Sequence, residues 1–230
     1  LDSQKILQPI STTSLNNSVY KMLRKWILDQ ELSPGQRLNL NELEDQLHVS
    51  RTPIKMAFKQ LELEGLVEIV PRRGTFIASI DIEKLDENYK ICSSFELYVA
   101  LCLHKYLNDD DYLFFEALRL EMNQLVSASG ADFQTLILDY LEFDKQLHER
   151  LILRGGSQRM LDIYRQMNIH TLMTRIVPHF SLSHFKAMHL EHVELFKAIF
   201  EQNPDKLSHS LYNHLEAERQ RLGTYFTSQK

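Results

Sequence analysis

Glycine is scarce in this chain, at seven of 230 residues, less than half of the roughly 7% of average usage. That leaves little material for tight turns and favours helices. No apolar run approaches the ~20 residues that a membrane span requires, so no membrane partner is expected. Only two cysteines occur, Cys92 and Cys102. Ten residues apart on what reads as one helix, they point in opposed directions and do not pair, which fits a reducing cytoplasm. The opening LDSQKILQPI lacks a basic patch followed by an apolar stretch and is not read as a signal peptide. Residues 1–13 are set aside as a flexible N-terminal arm.

What is present is ordinary for a globular protein: 43% hydrophobic and 25% charged residues over a length that suits two domains. Charge divides unevenly. Residues 1–80 carry 10 Lys and Arg against 9 Asp and Glu, whereas residues 81–230 carry 16 against 22. A polyanion therefore has a home only in the first third.

Residues 14–29 place Leu15, Val19, Met22, Leu23, Trp26 and Ile27 at helical spacing. A turn follows at Ser33-Pro34-Gly35. Asn39 or Asn41 then caps a short helix carrying Leu43 and Leu47. After Val49-Ser50 a third helix is expected, N-capped by Ser50, with Pro53 in its first turn and a buried stripe of Ile54, Ala57, Phe58 and Leu61. Residues 66–70 and 75–78 read as two strands around Pro71-Arg72-Arg73-Gly74. Three helices and a hairpin describe a winged helix-turn-helix over residues 14–80. Past Asp81 the pattern becomes helix after helix, with breaks near 108–111, 127–132, 154–157, 177–183 and 203–204. The fold class is mainly α: a winged domain followed by an all-α bundle of six or seven helices over residues 81–230.

Arg51, Lys55 and Lys59 recur every four residues, so one face of the third helix is cationic while Ile54, Phe58 and Leu61 face the other way. Taken alone, such a pattern is more often a solvated helix face. Thr52 adds a hydroxyl at the helix N-terminus, and Arg72 and Arg73 add charge at the hairpin tip. In the second half, Asp144 and His148 share a helix face, and His192 and His214 stand on later helices. One carboxylate and three imidazoles suit zinc first, then nickel, manganese or iron.

The stretch VYKMLRKWILDQELSPGQRLNLNELEDQLHVSRTPIKMAFKQLELEGLVEIVPRRGTFIASI resembles the DNA-binding domain of the GntR family, through PGQRL, VSRTP, LELEGLV and RRGTFI in order. The resemblance implies a regulator that binds double-stranded operator DNA through Arg51, Thr52 and Lys55, with Asn41 and the Arg72-Arg73-Gly74 wing assisting; Lys59 is added as a DNA contact from its place on the same cationic face. Arg51 is the candidate for bidentate guanine readout. Relatives usually carry Arg then Glu where this chain has Lys55 and Met56, and Lys lacks Arg's fork.

Residues 85–222 resemble the FCD effector domain of the FadR subfamily, whose pattern is an Asp-x-x-x-His helix, a Glu-His helix and a final His about 22 residues later. Asp144, His148, Glu191-His192 and His214 match, the last two histidines being 22 apart. The resemblance implies a divalent transition metal on Asp144, His148, His192 and His214, a small-molecule effector beside it with a carboxylate as the expected chemistry, a homodimer, and repression as the commoner outcome. The effector is expected against Cys92, Glu96 and His170, with Cys92 standing where the family often places an arginine. His184 and His189 are read as structural or exposed. Two other readings are a metal-independent acyl-CoA-type sensor, which the intact four-ligand pattern disfavours, and a metal-dependent enzyme, for which no general base accompanies the ligands.

Overall fold

The computed structural model describes residues 12–29, 31–127, 133–177 and 180–228. Most of the expected arm, residues 1–11, lies outside the described residues, whereas Thr12 and Thr13 already belong to the first helix. The chain divides into two compact units, residues 1–80 and 81–230.

In the first unit, α1 (Thr12–Leu28) and α2 (Leu40–Leu47) pack on α3 (Arg51–Leu63), which in turn packs against a three-stranded antiparallel sheet. Val19, Leu23 and Ile27 recur every four residues along α1 and meet Ile54, Ala57, Phe58 and Leu61 in a single core. Asn39, not Asn41, caps α2, its side chain accepting from the Asn41 amide. Ser50 takes the extended cap conformation ahead of α3 without a side-chain cap bond.

The sheet holds one strand more than the sequence suggests. β1 (Arg37–Leu38) lies within the PGQRL turn and pairs with β3 (Gly74–Ile77), which pairs in turn with β2 (Val67–Val70). A two-residue strand has no periodicity to read, and only its ladder to β3 reveals it. At the hairpin, Arg72 adopts φ +64° and Gly74 φ +122°. A Cβ on Gly74 would stand 3.0 Å from Arg37 Nε. Gly74 thus shapes the wing by its conformation and lack of a side chain.

The second unit is all-helical: α4 (Ile82–Ala100), a 3₁₀ turn (Leu103–Lys105), α5 (Asp109–Ser127), α6 (Phe133–Gly155), α7 (Gln158–Gln166), α8 (Ile169–Met173), α9 (Leu182–Phe200) and α10 (Pro204–Ser228). Helix α4 packs on α6 and α10, and α9 packs on α5 and α10. Pro204 opens α10, where its missing N–H costs nothing. The reading of Cys92 and Cys102 as one helix is corrected: α4 stops at Ala100, and Cys102 sits in the following turn, its thiol 3.3 Å from the Gly155 carbonyl. Both thiols are free.

That turn is held by a close approach of α4 and α6. A Cβ on Gly155 would stand 2.6 Å from Val99 Cβ and 2.9 Å from the Val99 carbonyl oxygen, neither of which can swing aside. Gly155→Ala is expected to destabilise this unit by about 1–3 kcal/mol through overpacking. Chemical denaturation would show it, and an unchanged midpoint would contradict the close packing.

Candidate functional site

Two constellations emerge, one in each unit. In the first, Arg51 and Thr52 are exposed in the first turn of α3, with Lys55 and Lys59 exposed along the same helix. The Arg51 guanidinium is held from α2: its Nε donates to Glu44 Oε2 at 2.7 Å and its Nη2 to Asn41 Oδ1 at 2.9 Å. Both Nε and Nη2 are thus held from α2 while the residue itself stays exposed. Asn41, Lys55, Lys59 and Gly74 line one open hollow of about 470 Å³ together with Arg37. Arg72 and Arg73 are exposed on the turn between β2 and β3. Sequence reasoning missed Arg37 and Glu44. The first stood in view within PGQRL, and the second lies seven residues before Arg51 on another helix.

In the second unit, Asp144 and His148 on α6, His192 on α9 and His214 on α10 come together in the interior. One ligand atom from each lies within 4.8 Å of all the others, and all four residues are buried. Each histidine presents Nδ1 to an acceptor outside the cluster. His148 Nδ1 meets Glu96 Oε2 at 2.6 Å, His192 Nδ1 meets the Met188 carbonyl at 2.8 Å, and His214 Nδ1 meets Glu191 Oε2 at 3.0 Å. These acceptors select the tautomer with hydrogen on Nδ1 and turn the Nε2 lone pairs toward Asp144.

The outer partners are themselves fixed. Tyr164 donates its hydroxyl to Glu96 Oε1 at 2.7 Å, and Arg221 grips both oxygens of Glu191 at 2.7 Å. Burial would raise Glu191, but the hydrogen bonds and charge of Arg221 and His214 outweigh it and bring its carboxyl down to about 2.

With neutral imidazoles, acceptors outnumber donors at the centre. His192 Nε2 stands 2.6 Å and His148 Nε2 3.5 Å from Asp144 Oδ1, although both rings already face acceptors through Nδ1. A neutral imidazole has one N–H and cannot serve an acceptor at each end. His214 Nε2 is buried with no hydrogen-bond partner among the described residues. Burial alone would raise Asp144, but His148, His170 and His192 outweigh it and hold its carboxyl well below the usual range. Burial pushes His192 down, and His214 adds to that. In His148 burial is outweighed by Glu96 and Asp144, which raise it well above its ordinary value. Three convergent lone pairs and one carboxylate are the donor set for a divalent cation, which would answer each unmet acceptor at once.

Cys92 and Glu96 on α4 and His170 on α8 line one cavity beside Asp144 and His148. His170 Nδ1 is 3.3 Å from Asp144 Oδ2, and its Nε2 is 2.9 Å from the Tyr164 hydroxyl. The open space is about 10 Å³, room for no more than one water. A larger ligand needs the wall to move, and the five-residue α8, which supplies Ile169, His170 and Met173, is its smallest element. Tyr89, Tyr164 and Glu218 line the same cavity and were missed from sequence. Glu218 had a signal, standing four residues after His214.

Residues 15–77 match the model of the bacterial regulatory proteins of the gntR family, and residues 108–217 match the FCD domain. The chain is 23% identical over 205 residues to the HTH-type transcriptional repressor RspR of Escherichia coli, spanning 89% of this chain and 87% of that protein. It is 24% identical over 204 residues to the HTH-type transcriptional regulator YdhC of Bacillus subtilis, covering 88% of each. Among solved structures, Escherichia coli McbR/YncC superposes with a TM-score of 0.68 at 16% identity, covering 94% of this chain and 99% of that one. A GntR regulator from Rhodococcus sp. RHA1 gives 0.69 at 21%, covering 91% and 97%. These matches are to transcriptional regulators and not to enzymes, and no described helix is long and apolar enough to cross a membrane.

Proposed function

We propose that this chain, a DNA-binding regulator of the GntR family with an FCD effector domain, is a metal-dependent sensor of the FadR subfamily. As a homodimer it represses transcription from a two-fold symmetric operator until a small molecule binds beside the metal. The observation that carries this reading is the convergence of three Nε2 lone pairs and the Asp144 carboxylate, with every Nδ1 already engaged. Zinc suits three imidazoles and a carboxylate best, with nickel, manganese and iron as the other candidates. Asp144, His148, His192 and His214 would hold the cation, which would supply a Lewis-acidic centre for an oxygen of the effector, a carboxylate in the first instance.

The chain's own residues do the rest. Glu96, Glu191 and the Met188 carbonyl orient the imidazoles, and Tyr164 and Arg221 orient those acceptors in turn. Such outer partners typically contribute 10- to 100-fold to metal affinity. Glu191→Ala is accordingly expected to weaken metal binding by about 10- to 100-fold. Competition with a chromogenic chelator measures this, and an unaltered affinity would remove Glu191 from the account.

In the first unit, Arg51 reads a base, with Thr52, Lys55, Lys59, Arg72 and Arg73 on phosphates and the edges of the groove. Asn41 steadies Arg51, and Gly74 shapes the wing. An effector alters DNA affinity only if it prefers one of two arrangements of the paired DNA-binding domains. Helix α4 is the natural coupler, since it begins immediately after the winged unit and carries Cys92 and Glu96 to the cavity.

Selection of tight binders from a random duplex library tests the reading. The expected product is a pseudo-palindrome with half-sites about one helical turn apart, or a multiple of that. Asymmetric sites bound by single chains would contradict it.

A further inference from the structure

The cavity beside the cluster is acidic. Asp144, Glu96 and Glu218 all line it, and among the described residues that line it none is Lys or Arg. Glu96 is 1% and Glu218 7% exposed. Glu96 accepts from Tyr164 and from His148 Nδ1, and Glu218 accepts from the Tyr89 hydroxyl and stands 3.8 Å from His214 Nε2. Arg221, a cation close by, is committed to Glu191 through both of its terminal nitrogens. Burial pushes the Cys92 thiol up, with the Glu96 charge adding to it, so the thiol stays neutral.

The charges can be counted. With the four imidazoles of His148, His170, His192 and His214 counted as neutral, a divalent cation is opposed by the carboxylates of Asp144, Glu96 and Glu218, which leaves one negative charge in excess. A dicarboxylate entering this space would make the excess three, in a setting where unpaired buried charge is heavily penalised. Hydrogen bonding points the same way. The tyrosine hydroxyls already donate to carboxylates, so apart from the Ser93 hydroxyl and the Cys92 thiol the wall presents mainly acceptors, and an ionised carboxylate can only accept.

We infer that the effector is an amine-bearing zwitterion, its oxygen end directed to the metal and its ammonium received by Glu218 and Glu96, and not a di- or tricarboxylate. This rests on the proposed metal-linked effector site and adds the chemical class of what enters it. An ammonium brings three donors and the missing positive charge, and its hydrogen bonds to carboxylates belong to the stronger, charge-assisted kind.

Calorimetric titration of the full chain with length-matched probes tests the inference: 4-aminobutyrate against succinate, and 5-aminopentanoate against glutarate, with metal content measured on the same sample. In each pair the amino compound is expected to bind at least about tenfold more tightly, and Glu218→Gln to narrow that preference by about tenfold, some 1.4 kcal/mol. Equal or tighter binding of the dicarboxylates, no binding of either amino compound, or an unchanged preference in a folded Glu218→Gln chain overturns it. If that variant does not fold, the wild-type preference decides alone. A chain that holds metal but prefers dicarboxylates defeats this inference only, whereas a chain without metal defeats the site reading and this inference with it.

Discussion

Replacing His148 and His214 together by alanine is expected to abolish metal binding and to cost the second unit several kcal/mol of stability. Two effects add. A cation present at a thousandfold excess over its dissociation constant stabilises the folded state by about 4 kcal/mol, and the variant forfeits this. Without His148, the fully buried Asp144 and Glu96 also lose a partner each, and breaking a buried pair on one side commonly costs about 3–5 kcal/mol. The contributions overlap, because the cation and the imidazoles compensate the same carboxylates. The first unit has its own core of Val19, Leu23, Ile54, Phe58 and Leu61, and should keep its fold. Elemental analysis and thermal unfolding of the variant check both points. A variant that retains stoichiometric metal would refute the site.

Arg51→Ala is expected to weaken binding to the selected operator by about 1–3 kcal/mol, roughly 5- to 150-fold, as for loss of a bidentate base contact. Removal of the guanidinium also leaves Glu44 without its 2.7 Å partner at the N-terminal end of α3, the end proposed to meet DNA, where a lone carboxylate would repel phosphate. Arg51→Lys should recover the charge but not the discrimination, since an ammonium has no fork. Fluorescence anisotropy at one salt concentration, on the selected duplex and on a scrambled one, separates the two roles. Equal losses on both duplexes would make Arg51 a phosphate contact and not a reader of sequence.

The winged domain was legible because its signals are local. Helical stripes, a Pro-Gly turn and strands around Pro71-Arg72-Arg73-Gly74 each lie within a few residues of one another. Strand β1 was not legible, because two residues carry no period and its partner lies nearly 40 positions away at Thr75 and Phe76. In the second unit, the i, i+4 spacing of Asp144 and His148 and the matching positions of His192 and His214 named the four residues. What orients them was hidden. Glu96 reaches His148 from 52 positions away, Tyr164 reaches Glu96 across 68, and Tyr89 meets Glu218 across 129. Glu191 stood in view beside His192, yet its hydrogen bond goes to His214 on the next helix. The acidity of the cavity was invisible for the same reason, since it arises where α4, α6 and α10 meet.

Everything proposed for the second unit turns on one quantity, the metal content of protein purified without chelator and without an affinity tag that binds metal. Elemental mass spectrometry should find about one transition-metal ion per chain, as four convergent protein ligands require. A chain free of metal after such a purification would contradict the account.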